Sequence, residues 1–338
     1  MSRRSAIAAG VGVLVAALLV AAGLFLRRGP AYLLRYRFQP GTRLTYEVTL
    51  AGAGKAALAS PPDSPKKERV DLPVEMTGEI AFSLDVKEVS PEGVAAVVLT
   101  IAEVDATIRN EVRGRKMRME LNREGMKSWE EERLMKEIPA SAADFPLKGI
   151  LDSPFRMRID PRGKVIDCDL PAELKSAFPL PNLRELLVGG LPDFPEGTVR
   201  QGESWPGDVT LPMPAVGKPW SHGEAWKIQL RTVLEDVVRD GDGPQGMLSY
   251  SGRVEQQWGG AEEDKRKQSG IKSFTQTMSG QYRFDLERGW LLGSRSTLKQ
   301  AFQIFMNIDK VIAGKGFDVE VDFTLNVETK LARIIRKN

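Results

Sequence analysis

The chain holds one histidine, His222, within Pro219-Trp220-Ser221-His222-Gly223-Glu224, and one cysteine, Cys168. So few soft ligands cannot assemble a multi-histidine or cysteine-rich metal site, and a Ser-His-Asp arrangement would have to be built on His222 alone. A loop rich in proline and glycine is a poor setting for a general base, so His222 reads as an exposed bystander. No G-x-S-x-G elbow, P-loop or dinucleotide fingerprint followed by a helix occurs in the sequence. The acidic runs Glu130-Glu131-Glu132 and Glu262-Glu263-Asp264 read as solvated charge, since a glycosidase needs two opposed carboxylates in a cleft. These residues predict no catalytic residue, no metal and no cofactor, and the protein is expected not to be an enzyme. A hydrolase built on His222 or on paired carboxylates is the least favoured alternative. Cys168, in Val165-Ile166-Asp167-Cys168, reads as a packed strand residue instead of a reactive thiol.

The elements around these residues start with a membrane segment. Ser5 to Leu26 is a run of 22 residues without charge or proline, flanked by Arg3 and Arg4 before it and Arg27 and Arg28 after it. A bilayer core of ~30 Å is spanned by about 20 helical residues. The run is longer than the 7–15 apolar residues usual in a cleavable signal. It predicts an uncleaved signal anchor over residues 1–30, with the short N-terminus inside and the large domain outside the cytoplasm. The single cysteine lies far from this segment, so a lipid-modified cysteine is not the tether.

Charge changes meaning once the anchor is set apart. The whole chain has 48 Lys+Arg against 45 Asp+Glu. Four of those arginines flank the anchor, and the remaining 308 residues are close to neutral. No basic stripe remains to bind nucleic acid. One cysteine cannot form an intramolecular disulfide, so an extracytoplasmic domain would rely on its core.

The soluble part alternates with period 2, the pattern of a sheet wetted on one face. Leu44, Tyr46, Val48 and Leu50 share one face of a predicted strand. Val74, Met76, Ile80, Phe82, Leu84 and Val86 share one face of the next. Ala51 to Pro73, between them, is expected to be a mobile loop. Further strands are predicted at Val94–Ile108 and Lys116–Leu121, with Glu130–Ile138 and Ser141–Leu151 helical or irregular and Trp129 a packing anchor. Phe155, Met157 and Ile159 lead through Asp160-Pro161-Arg162-Gly163 to a return strand at Val165–Cys168. Short helices are expected at Pro171–Phe178 and Asn182–Val188, the first with proline at its start and the second capped by Asn182. The later strands are predicted around Trp226–Leu234, Leu248–Trp258, Phe274–Leu286, Trp290–Phe305 and Phe317–Leu331. Strands this long coil strongly.

The predicted fold is therefore mainly β (α+β). Long, strongly curved antiparallel sheets form a half-barrel or two related halves, 31–196 and 197–338, with a few short helices and the N-terminal transmembrane helix. Gly202 and Trp205, within Gly197-Thr198-Val199-Arg200-Gln201-Gly202-Glu203-Ser204-Trp205, are the expected structural junction between the halves. A similarity between the hairpins around Asp160 and Asp285 is consistent with two related halves.

Together with Phe38-Gln39-Pro40-Gly41-Thr42 and Phe284-Asp285-Leu286-Glu287-Arg288-Gly289-Trp290-Leu291, that mid-chain element resembles an uncharacterised family of bacterial cell-envelope proteins, a domain of unknown function. The resemblance implies an envelope location and carries no chemistry. The expected sheet also resembles the open half-barrels of periplasmic lipoprotein carriers, which hold acyl chains. The function expected is non-catalytic: binding of a lipid, another hydrophobic ligand or a lipidated partner at the cell membrane. The alternative is a scaffold that docks another envelope protein.

Overall fold

The computed structural model describes residues 29–60, 69–112, 114–143, 145, 147–169, 191–211, 226–241, 243–257, 271–307 and 316–336. They form sixteen strands and, among the described residues, no helix. The first half contains β1 (Ala31–Tyr32), β2 (Thr42–Ala59), β3 (Arg69–Val89), β4 (Ala95–Val112), β5 (Arg115–Asn122), β6 (Gly125–Glu130), β7 (Arg133–Pro139), β8 (Pro154–Ile159) and β9 (Val165–Asp169). The second contains β10 (Val199–Arg200), β11 (Ser204–Leu211), β12 (Trp226–Asp240), β13 (Gly243–Gln257), β14 (Ile271–Asp285), β15 (Trp290–Asn307) and β16 (Gly316–Arg336).

Fourteen strands make one antiparallel sheet in the order β11-β12-β13-β14-β15-β16-β2-β3-β4-β5-β6-β7, with β8 and β9 branching from β4. The sheet is open, since β11 and β7 each pair on one side only. Two meanders meet where the last strand pairs with the first long one: Arg336 lies opposite Thr42 and Asp318 opposite Ala59. β4 splits the sheet, pairing with β8 through Ala95–Thr100 and with β5 through Ala106–Val112.

Two expectations are corrected. Ala51–Ala59 and Arg69–Pro73 are strand, not loop: β2 runs on to Ala59 and β3 already begins at Arg69, paired residue by residue; residues 61–68 lie outside the described residues. The core face of β2 here is small, Gly52, Gly54 and Ala56, and β16 supplies the bulk opposite it. A Cβ at Gly52 or Gly54 would collide with Phe323, whose ring lies across β2. Cross-strand packing overrides weak strand propensity here. Glu130–Ile138 is likewise not helical, but the end of β6 and the edge strand β7. Its charges suit an exposed edge, and Lys127 and Glu137 pair across it at 3.3 Å. Trp129 is only half-buried, and the Arg118 guanidinium sits 4.4 Å over its ring. The Asp160 hairpin forms as expected, with Met157 opposite Cys168. Both expected helices and the membrane segment lie outside the described residues. No described helix is long and apolar enough to cross a membrane.

The buried core gathers at one end of the sheet, around residues 31–38. β1 pairs with β10, and the extended strap that follows buries Leu34 and Tyr36. Two hairpin turns hold it. The Tyr36 amide donates to the Pro161 carbonyl at 2.7 Å, and the Arg37 amide to the Gly289 carbonyl at 3.0 Å. In a flat sheet those turns, five strand spacings apart along β8-β4-β3-β2-β16-β15, would be separated by about 24 Å. They hold neighbouring residues whose Cα atoms are ~3.8 Å apart, so this end of the sheet curls around the strap. Both turns have the same chemistry: Asp160 Oδ1 accepts from the Arg162 and Lys164 amides, and Asp285 Oδ1 from the Glu287 and Arg288 amides.

Candidate apolar ligand site

Curling brings side chains from six strands around a cavity of about 300 Å³. Tyr46 and Val48 come from β2, and Ile80, Phe82 and Leu84 from β3; both sets follow the alternation that puts every second residue on the core face. Leu99 and Ile101 of β4 and Met157 of β8 close one side. Leu291 of β15, Thr329 of β16 and Leu191 complete the wall.

The chemistry of this wall is almost wholly apolar. Tyr46 is its one titratable group, and burial pushes that phenol well above its ordinary value. Its hydroxyl is spent on the Leu291 carbonyl at 3.0 Å, while its ring stacks on Phe82 with centroids 5.3 Å apart. That leaves the Thr329 hydroxyl as the remaining side-chain polar group on the wall. A buried water needs two to four polar partners, and apolar cavities of ~150 Å³ stay dry and take up benzene. The arrangement suits hydrocarbon and offers no nucleophile, acid–base pair or ligand set.

An aromatic cluster locks the strap onto β14 and the 191–205 connection. Tyr36 stacks on Phe38 at 5.4 Å and meets Phe284 edge-on at 5.2 Å, while Phe194 meets Phe284 at 4.6 Å. The Trp205 indole, buried to 6 % exposure, donates to the Asp193 carbonyl at 2.8 Å. Gly202 takes φ 81° and donates its amide to the Leu234 carbonyl at 2.7 Å. The Trp205 bond closes the 191–205 connection on itself, and the Gly202 bond fastens it to β12.

The other residues singled out by type fall elsewhere. Arg3, Arg4, Arg27, Arg28, His222, Glu262, Glu263 and Asp264 lie outside the described residues. Glu130 pairs with Arg115, and Glu131 Oε1 accepts the Lys116 amide at 2.8 Å. Glu131 and Glu132 line an open groove of about 550 Å³ with Glu75 and Glu111, where Arg109 and Arg118 lie among them. Cys168 is half-buried on β9. Among the described residues no group of His, Cys, Asp and Glu could hold a metal ion. On the opposite face, two polar grooves of about 400 and 410 Å³ run over Ser249, Ser251, Ser279 and Thr297.

Most of the wall was visible in sequence as the inward face of single strands. The meeting of β8 and β15 across the cavity was not. The strap was also missed, although Leu34, Tyr36 and Phe38 alternate with Arg35 and Arg37.

No family model matches the sequence, so the resemblance to the envelope family finds no support there, and no curated protein matches it. Among solved structures, a chain of lipovitellin, from work on lipid–protein interactions in that protein, is similar with a TM-score of 0.45 and 12 % sequence identity. The match covers 89 % of this chain and 26 % of the lipovitellin chain, so this chain spans about a quarter of that protein's length.

Proposed function

We propose that the protein is a non-catalytic, membrane-anchored envelope protein that binds a lipid or another hydrophobic ligand in a half-barrel. The cavity of about 300 Å³, whose one titratable wall group already has a hydrogen-bond partner, carries this reading. Its volume is at the lower end of ligand pockets, roughly 300–1,000 Å³. Each buried methylene adds about 0.8 kcal/mol, so an aliphatic tail is the ligand this wall rewards most. The anchor over residues 1–30 would keep the site beside the bilayer, with the domain outside the cytoplasm.

The test is native mass spectrometry of residues 31–338 purified without detergent, after circular dichroism has shown the β fold. A co-purifying lipid is expected, and the Ile80→Trp variant, which fills the cavity, should lose it. A folded domain with no bound lipid, or one that keeps its lipid after Ile80→Trp, refutes the cavity as the site.

The scaffold reading has one observation in its favour. The edge strand β7 leaves Leu134 and Met135 46 % and 49 % exposed. A photo-crosslinker at position 135 that captures no specific protein in intact membranes would exclude docking at this edge.

A further inference from the structure

The cavity does not end the apolar face. Its row Thr329–Val48–Ile80 is followed along the strands by Val327–Leu50–Gly78 and then by Leu325–Gly52–Met76. Beyond these come Phe323–Gly54–Val74 and Val321–Ala56–Leu72. None of these positions carries an ionisable group. The other face of the same strands is charged, with Arg295 paired to Glu328 and Arg69 to Glu320.

At the strap end the core face is buried, as at Leu44, Leu84 and Leu99; along these distal rows every residue stays partly exposed. Contiguous exposed apolar surface marks an interaction site. Its floor is low, since β2 contributes glycine and alanine and the Phe323 ring lies flat over Gly52.

From Val48 to Ala56 the rows extend about 26 Å at ~3.3 Å per residue. One leaflet of a bilayer core is ~15 Å deep, half of ~30 Å, so a whole acyl chain fits along the rows. The strap places residue 31 at the cavity end, and residues 27–30 span at most ~14 Å. The cavity end is therefore the end nearest the expected anchor.

We infer that this face is an acyl-chain track: the hydrocarbon tail of a membrane lipid enters at the cavity and lies along β16, β2 and β3 toward the distal end. The inference rests on the cavity being a lipid site and extends that site along the strands. Length, absence of charge and row-by-row continuity with the cavity favour a tail over a protein partner, which would need polar groups to fix its register.

The full chain is reconstituted into phosphatidylethanolamine–phosphatidylglycerol vesicles containing a phosphatidylethanolamine with a diazirine at the end of its palmitoyl chain. After photolysis, adducts are mapped by peptide mass spectrometry. Adducts are expected around Val48 and Ile80 and also around Met76, Val74 and Leu325. Leu325→Asp puts one charge on the uncharged face and should lower the distal adducts roughly tenfold or more, since burying an unpaired carboxylate is strongly unfavourable. The cavity adducts should persist and report that the variant is folded; if they vanish too, Met76→Gln serves as the milder block and must give the same selective loss. Adducts confined to the cavity overturn the track and leave the cavity reading standing. Adducts confined to residues 1–30 overturn both. Distal adducts unchanged in both variants overturn the track.

Discussion

Gly289→Ala should free the strap, and the comparison with Gly202→Ala isolates why. Both glycines have left-handed backbones, with φ of 71° and 81°. An alanine Cβ at 202 would meet nothing within 4 Å, whereas at 289 it would lie 2.5 Å from the Arg37 amide nitrogen and 2.7 Å from the Arg35 carbonyl oxygen. The left-handed conformation costs an L-residue roughly 1–2 kcal/mol at either site. At 289 the clash adds loss of the Arg37-to-Gly289 hydrogen bond, about 0.5–1.5 kcal/mol. It also displaces Tyr36, whose burial is worth roughly 1.5–3 kcal/mol. Gly289→Ala should therefore cost about 3–6 kcal/mol, against about 1–2 for Gly202→Ala. Hydrogen exchange of the peptide covering residues 31–38, with urea unfolding alongside, reads both effects. Strap amides should lose protection in Gly289→Ala and keep it in Gly202→Ala. Equal protection and equal stability in the two variants would refute the clamp.

Leu99→Ala enlarges the cavity from its buried side and should cost about 2–5 kcal/mol in urea unfolding, while admitting a bulkier apolar probe in a fluorescence titration. Phe323→Ala removes the ring over Gly52 and Gly54; hydrogen exchange should rise at the β2–β16 seam and not at the β8–β9 hairpin. Burial raises the phenol pKa of Tyr36, Tyr46 and Tyr282 above the ordinary 10. The folded state then holds protons that the unfolded chain gives up, so stability is complete below about pH 10 and falls as pH rises beyond it. Tyr282→Phe should make that alkaline loss shallower, as read by urea midpoints at pH 8 and pH 11.

The alternation of Leu44, Tyr46 and Val48, or of Val319, Val321 and Phe323, states which residues share a face, because the strand period is 2 whatever the neighbour. It does not state the neighbour. The pairing of β16 with β2 joins residues almost 300 positions apart, and local pattern carries no information about it. Ala51–Ala59 shows the cost: read alone it is a small-residue loop, and only Phe323 from the far end of the chain makes its glycines strand residues. Glu130–Ile138 hides its strand for a related reason, since an edge strand is under little pressure to alternate. The cavity was legible as its separate walls. Its closure was not, because it depends on turns at Pro161 and Gly289 that meet only through the strap.

The β16–β2 seam also orders the events that can make a site. Val327, Leu325, Phe323 and Val321 supply the β16 side of the track, and Thr329 supplies part of the cavity wall. Until the last strand docks, β2 and β15 present open edges and the apolar rows have no common floor. Contacts of such sequence separation form slowly because the intervening loop entropy comes first, and open apolar edges invite mispairing meanwhile. The strap works against this from the other side, because it fixes residues 31–38 at the end where β16 finishes. Arg336 pairs with Thr42 only six residues after Tyr36 is clamped. The same contacts that complete the sheet complete the apolar site, so the site is a property of the finished fold and of neither meander alone.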